Sequence, residues 1–406
     1  MTVIQTFRLP FLKKDNGTLR LNRRSLRRAL AAILALFLFL PANAQAYIGL
    51  CCAHCGGNMP LNIFGGGIPE PKEFRFKISQ MFMRMGPMRD GTKDVKTSDL
   101  VGMPAMGKFP AVPESMNMWM TMFGGAYSFT DNFALIGMSS FKHNTMPMRF
   151  NAALQAATGR SGFTMESSGI GDFKLIGKYR LYSDDHLAPT KQLSMLFGVS
   201  LPTGSIKKEF TENPAAGQNG TLLPFKMQMG SGTFDPIIGL TYQGSRDPFW
   251  YGANVIYTGR FYDNSQDYRQ GDEVRLDLYG MYQFHPQSVV HLQLNGFYEG
   301  KYSDEPRLAK EQGHGHVGFN PNGPFTSPLF DPDNYGGTKL NITAGIQYQP
   351  IPLHVLELTA SAPVAQNLRG PQLAEDYRLM LTWYVEIPTS NSRRYRGMPA
   401  PKELGF

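Results

Sequence analysis

Tyr377–Glu386 reads YRLMLTWYVE. Tyr377, Leu379, Leu381, Trp383 and Val385 form one apolar set, while Arg378, Met380, Thr382, Tyr384 and Glu386 form a mostly polar set. A period of two is the mark of an extended strand with unlike faces. The same pattern recurs at Val274–Phe284, Leu292–Glu299 and Asp172–Leu181, where Asp277, Lys174, Lys178, Arg180 and Arg275 fall on the polar face. Apolar residues on one face, charges on the other and aromatics near the ends describe a wall between lipid and a polar lumen.

Twelve segments of this kind run from 73 to 387, among them 165–182 and 228–243, and the connections between them alternate between short and long, with a medium one at 364–374. Thr130–Asn132 and Pro350–Pro352 are short, whereas 87–115, 205–227 and 303–337 are long. A soluble β-sandwich has no reason to alternate this way; an outer-membrane barrel has short periplasmic turns and longer outer loops. The expected fold is all-β, an antiparallel transmembrane β-barrel of about 12 strands, with both chain ends in the periplasm.

The first 72 residues are of another kind. Arg20, Arg23, Arg24, Arg27 and Arg28 precede the apolar run Ala29–Leu40, and Pro41 and two Ala-x-Ala sites follow. That order predicts a secretory signal peptide over 1–46, because the run is short for a membrane-spanning helix. Its removal takes eight basic residues and one acid from totals of 40 and 32, leaving 32 and 31. A nearly neutral chain offers no electrostatic footprint for nucleic acid. The remaining expected divisions are a Cys/Gly-rich, plug-like segment at 47–72, a barrel at 73–387 and a periplasmic tail at 388–406.

Three stretches carry a family resemblance: GIGDFKLIGKYRLY at Gly169–Tyr182, LFGVSLPTGS at Leu196–Ser205 and GSGTFDPIIGLTYQG at Gly230–Gly244. They resemble the phenol meta-pathway degradation-like outer-membrane "transporter" family. The resemblance implies a barrel that passes small, often hydrophobic compounds. Its motifs are strand and turn patterns, so they specify fold better than substrate.

The methionines are the main candidate chemistry. Met116–Met122 reads MNMWMTM. Trp119, Phe123, Tyr127 and Phe129 make the better lipid face of that strand, so Met116, Met118, Met120 and Met122 point to the lumen. In the preceding strand, Phe74, Phe76, Ile78 and Phe82 oppose Glu73, Arg75, Lys77 and Ser79. The charged face must be luminal, because Arg or Lys at mid-membrane on the lipid side costs about 2–4 kcal/mol. Met81, Met83 and Met85 continue that luminal parity, and Met138, Met146 and Met148 extend the patch if the third strand keeps the same phase. Two readings compete. Thioethers suit soft ions such as Cu(I), with several weak sites in series; unbranched methionines also make an adaptable apolar wall for greasy solutes.

Cys51, Cys52, His54 and Cys55 make a second candidate, CCAHC, which suits a soft metal or a disulfide with one spare thiol. It is not a C-x-x-C-H haem site, since Gly56 follows. His314 and His316 lie in a loop expected to be solvated, and turn chemistry accounts for Asp184 and Asp185. No P-loop, H-E-x-x-H or G-x-S-x-G motif is present. The expected function is a non-enzymatic outer-membrane channel for passive passage of small hydrophobic solutes. The alternatives are a barrel that binds or transports soft metal and an enzyme on a barrel scaffold. Luminal Arg180, Arg275, Asp277, Arg378 and Glu386 would set the local field. The expected partners are outer-membrane lipid and a small-molecule or metal-ion solute, with a Cu(I)-like ion the one candidate cofactor.

Overall fold

A strand with one apolar and one polar face needs a different environment on each side, and a closed sheet provides both. The computed structural model describes residues 12–15, 18–21, 59–63, 71–185, 189–351 and 353–392. Met1–Gln45 and Ala46–Phe406 form separate units. In the first, β1 (Leu12–Asp15) pairs antiparallel with β2 (Thr18–Leu21). The expected signal peptide otherwise lies outside the described residues, as do Cys51, Cys52, His54 and Cys55.

The second unit is a barrel. Its strands are β3 (Glu73–Gly91), β4 (Lys93–Val95), β5 (Ala111–Pro113), β6 (Met116–Ser128), β7 (Phe133–Phe150), β8 (Gly162–Ile170) and β9 (Phe173–Ser183). There follow β10 (Lys191–Leu201), β11 (Asp235–Arg246), β12 (Phe249–Thr258), β13 (Glu273–His285), β14 (Ser288–Glu299), β15 (Gly337–Ile351) and β16 (His354–Pro388). Sequence neighbours pair antiparallel around the ring, and β16 closes it against β3.

Eleven elements form that ring, yet a closed ring of purely antiparallel neighbours needs an even number of crossings. The resolution is in β16. Its first half, to Leu368, pairs with β15, and its second half pairs with β3. The chain doubles back at Gly370, whose φ of +66° suits a residue without a Cβ. Twelve crossings result. β8 and β9 share one of them, since β7 pairs with both.

Outward positions match the expected apolar set. Leu278, Leu294, Leu358 and Leu381 stand exposed at mid-strand, and Phe74, Tyr127 and Phe129 start an aromatic row at the short-turn rim. With every interior ladder paired, such a wall leaves no unsatisfied backbone in lipid. Inward positions are polar on most strands, but Ile176, Leu196, Ile237 and Ile256 fill part of the lumen with an apolar cluster.

Four expectations are corrected. The segment drawn from 228 begins as a strand only at Asp235, because 3-10 helix Phe225–Met227 and Gly232, with φ +77°, occupy the approach. The expected loop 364–374 is almost wholly strand, with its reversal confined to the residues around Gly370. The strand starting near 165 is broken at Gly171-Asp172. His316 is buried rather than solvated, held by Glu305 at 2.9 Å and the Gly323 carbonyl at 2.7 Å.

The Asp172 break also explains the family motifs. The Asp172 carboxylate accepts from the Gly204 N–H at 2.9 Å and the Ser231 N–H at 2.8 Å. Thr203 Oγ1 accepts from the Phe173 N–H at 2.8 Å. GIGD, LPTG and GSGT therefore meet in one knot at the long-loop rim. They fix strand ends, which is why they report architecture.

Candidate functional site

Directly opposed residues on paired strands project from the same face. β3 and β6 oppose Met81 to Met120, Met83 to Met118 and Met85 to Met116. The two expected methionine rows thus lie side by side. On the other flank of β3, Met380 opposes Met81, Arg378 opposes Met83 and Glu375 opposes Met85. On β7, Met138 opposes Gly124 and so keeps the luminal phase of Met122; Met146 is buried against Met165 of β8. Outward neighbours on the same two strands are Phe74, Phe76, Ile78, Trp119 and Phe123. Methionine is therefore confined to the inner face.

Met81, Met83 and Met85 of β3 and Met116, Met118, Met120 and Met122 of β6, with Met146 and Met380, border a cavity of about 460 Å³. That volume falls within the roughly 300–1,000 Å³ usual for small-molecule sites. The facing wall comes from β13, β14, β15 and β16 and is polar. Asn295 Nδ2 donates to Asp277 at 2.7 Å, Thr343 Oγ1 to Asn295 Oδ1 at 2.6 Å, and Asn341 Nδ2 to Glu375 at 3.1 Å. Arg378 lies 3.7 Å from Glu375, and Arg275 sits over the Phe297 ring. The cavity is thus two-sided: sulfur and methylene on one side, paired charges and amides on the other.

Its roof is made by the long loops. Leu329 and Tyr335 border the cavity from above, and Lys226 reaches Glu299 at 2.7 Å. Tyr335 belongs to a ring cluster with Phe225, Tyr268 and Tyr302, contributed by three loops. Burial pushes the Tyr268 phenol in that cluster up to about 12.

The floor is part of the expected N-terminal plug. Met59–Ile63 lies inside the barrel near its short-turn end, with Met59 and Ile63 packed on Trp250, Tyr279, Met281 and Tyr384. Glu357 is its main anchor. That carboxylate accepts from the Leu61 N–H at 2.8 Å and the Asn62 N–H at 3.2 Å, and from Gln347 at 2.7 Å. Lys77 donates to the Leu61 carbonyl at 2.9 Å, and Gln293 and Asn62 join their side-chain amides. Asn62 is also a lining residue of the cavity.

The sequence profile of a family described as "Putative MetA-pathway of phenol degradation" matches residues 104–322, more than half of the chain. The chain belongs to this family. Among solved structures it is similar to an outer membrane channel from Pseudomonas putida F1, at 13% identity and a TM-score of 0.48, over 82% of this chain and 100% of that one. A Pseudomonas aeruginosa FadL homologue gives 9% identity and 0.37 over 77% and 90%. The monoaromatic hydrocarbon channel CymD gives 7% and 0.32 over 79% and 89%. No curated protein sequence matches the chain significantly.

In this member of the family, the candidate residues divide into two groups. Met81, Met83, Met85, Met116, Met118, Met120 and Met122 all border the cavity, together with Arg275, Asp277 and Arg378. Arg180 and Glu386 do not border it. Arg180 is buried on β9 near the short-turn end, and Glu386 pairs with Arg75 at 2.8 Å. His291 on β14, the strand-borne histidine that an enzyme on this scaffold would call on, lies 3.3 Å from Glu357 and 3.1 Å from Gln293. It buttresses the plug anchor. Sequence reasoning passed over Met380 and Glu357; Met380 stood in plain view on the polar face of the opening segment.

Proposed function

We propose that the chain is an outer-membrane channel for passive passage of small, largely apolar solutes that carry a polar group. The observation behind this reading is the two-sided cavity within a closed, lipid-facing wall. An adaptable methionine surface accepts apolar bodies of varied shape. The opposite wall offers amide, hydroxyl and charged partners to a polar end. Met59–Ile63 below and the loop cluster above make the cavity a compartment between two barriers, so passage requires each to yield. In this reading the short turns and both chain ends face the periplasm.

Uptake tests it. Cells producing the protein should take up radiolabelled benzyl alcohol, at limiting concentration, faster than cells lacking it. In the same cells, with Cys51, Cys52 and Cys55 changed to Ser, a cysteine at Asn322 should react with an impermeant reagent while one at Gln287 stays protected. Equal uptake with and without the protein sinks the channel reading, and the reverse labelling pattern sinks the orientation.

A further inference from the structure

We infer that the methionine wall is also a binding site for soft monovalent metal ions of the Cu(I) and Ag(I) kind. This goes beyond the channel reading and does not depend on which organic solute passes.

The first support is the specificity of residue choice. β3 and β6 face outward with Phe74, Phe76, Ile78, Phe82, Trp119, Thr121, Phe123 and Tyr127, residues that strands favour, interspersed with polar Gln80, Arg84 and Asn117. Where they face the cavity, they use methionine seven times, at Met81, Met83, Met85, Met116, Met118, Met120 and Met122. An apolar wall alone could be built from valine, leucine or isoleucine at no loss of strand propensity. What methionine adds is a neutral, polarisable sulfur, the donor that selects soft ions over hard ones.

The second support is geometry. Opposed residues on antiparallel strands hold their Cβ atoms about 4.5–5.5 Å apart. The flexible arms of Met81 and Met120, with Met380 on the next strand, can therefore bring sulfurs to a shared point. Met83–Met118 and Met85–Met116 repeat the arrangement along the barrel, each about two residues, or roughly 7 Å, from the last. All six residues of these rungs line the cavity, although Met116 is buried in a cluster with Met88, Met146 and Met165, against which Met85 and Met118 also pack. Successive weak sites let an ion bind without trapping it.

The third support is charge. Glu375 opposes Met85 and borders the same cavity, so a carboxylate stands next to one rung and offsets an incoming positive charge. Arg378, beside Met83, is itself 3.7 Å from that carboxylate. The Met85–Met116 rung is thus the one beside a carboxylate, within a lining where Lys142, Lys226, Arg275, Lys339 and Arg378 face Asp277, Glu299 and Glu375.

The test uses detergent-solubilised protein in which Cys51, Cys52 and Cys55 are Ser, so that thiols contribute nothing, and titrates it with Ag(I) by calorimetry. Saturable binding is expected to remain. Changing Met85, Met116, Met83 and Met118 to Leu conserves volume, a swap that usually costs below about 1.5 kcal/mol per site. Affinity should then fall by about tenfold or more, since even supporting groups of metal sites contribute that much. The variant must keep the heat-dependent gel mobility of a folded barrel; if it does not, Met85→Leu with Met116→Leu alone is read instead. A control variant, Met103→Leu with Met106→Leu in an exposed loop, should bind as its parent does. Absence of saturable Ag(I) binding in the cysteine-free protein, or equal affinity in parent and ladder variant, overturns the site.

Discussion

Leu278→Arg and Leu381→Arg should each destabilise the barrel in lipid by about 2–4 kcal/mol, the cost of placing arginine at the bilayer midplane. Both leucines stand outward near the middle of their strands, 42% and 54% exposed. In water that exposure would be a fault; in hydrocarbon it is the correct surface. A lysine at Met122, which borders the luminal cavity, should cost less, because water and paired polar groups are within reach. Guanidinium titration of folding into lipid vesicles measures the difference. Similar costs on the two faces would mean that the wall does not separate lipid from lumen.

Glu357→Ala should release the floor of the cavity and raise the conductance of the protein in planar bilayers severalfold. Glu357 is fully buried, and two consecutive backbone amides of the inner segment, Leu61 and Asn62, end on its carboxylate. Gln347 and His291 also turn to it, so alanine leaves several buried groups without their acceptor. Removing one member of such a buried charged network costs about 3–5 kcal/mol. That loss falls on docking of Met59–Ile63 more than on the barrel, whose β15–β16 ladder is backbone-bonded. Lys77 and Gln293 would still hold the segment, so partial opening is the expected result. Unchanged conductance in the variant would show that this segment does not limit passage.

The barrel was legible because a two-environment wall writes itself into every strand. The alternation at Tyr377–Glu386 requires lipid on one side and polar groups on the other, and twelve such segments follow from sequence alone. Parity carried the methionine rows as well, since a residue's face in a strand is fixed by odd or even position. The third row shows the limit. Met146 follows the same phase, but its partner Met165 sits on β8, beyond a break at Gly171-Asp172 that alternation alone does not mark. The roof was hidden for a different reason. Phe225, Tyr268, Tyr302 and Tyr335 meet across three long loops, and nothing periodic links residues brought together only by folding. Glu357 gave no signal in the sequence; its role depends on a segment nearly 300 residues away, joined by backbone hydrogen bonds that have no side-chain signature.

In the proposed channel one face of β6 lines the pathway while the other meets lipid. In protein whose native cysteines are Ser, reconstituted in vesicles, the most direct measurement compares Met118→Cys with its neighbour Trp119→Cys. Modification by a small impermeant thiol reagent is read by mass spectrometry. The cavity residue should be modified, because water and small solutes reach it, and the neighbour should stay protected, because a thiol in hydrocarbon does not ionise. Protection of Met118→Cys, or modification of Trp119→Cys in its place, would contradict a methionine-walled pathway.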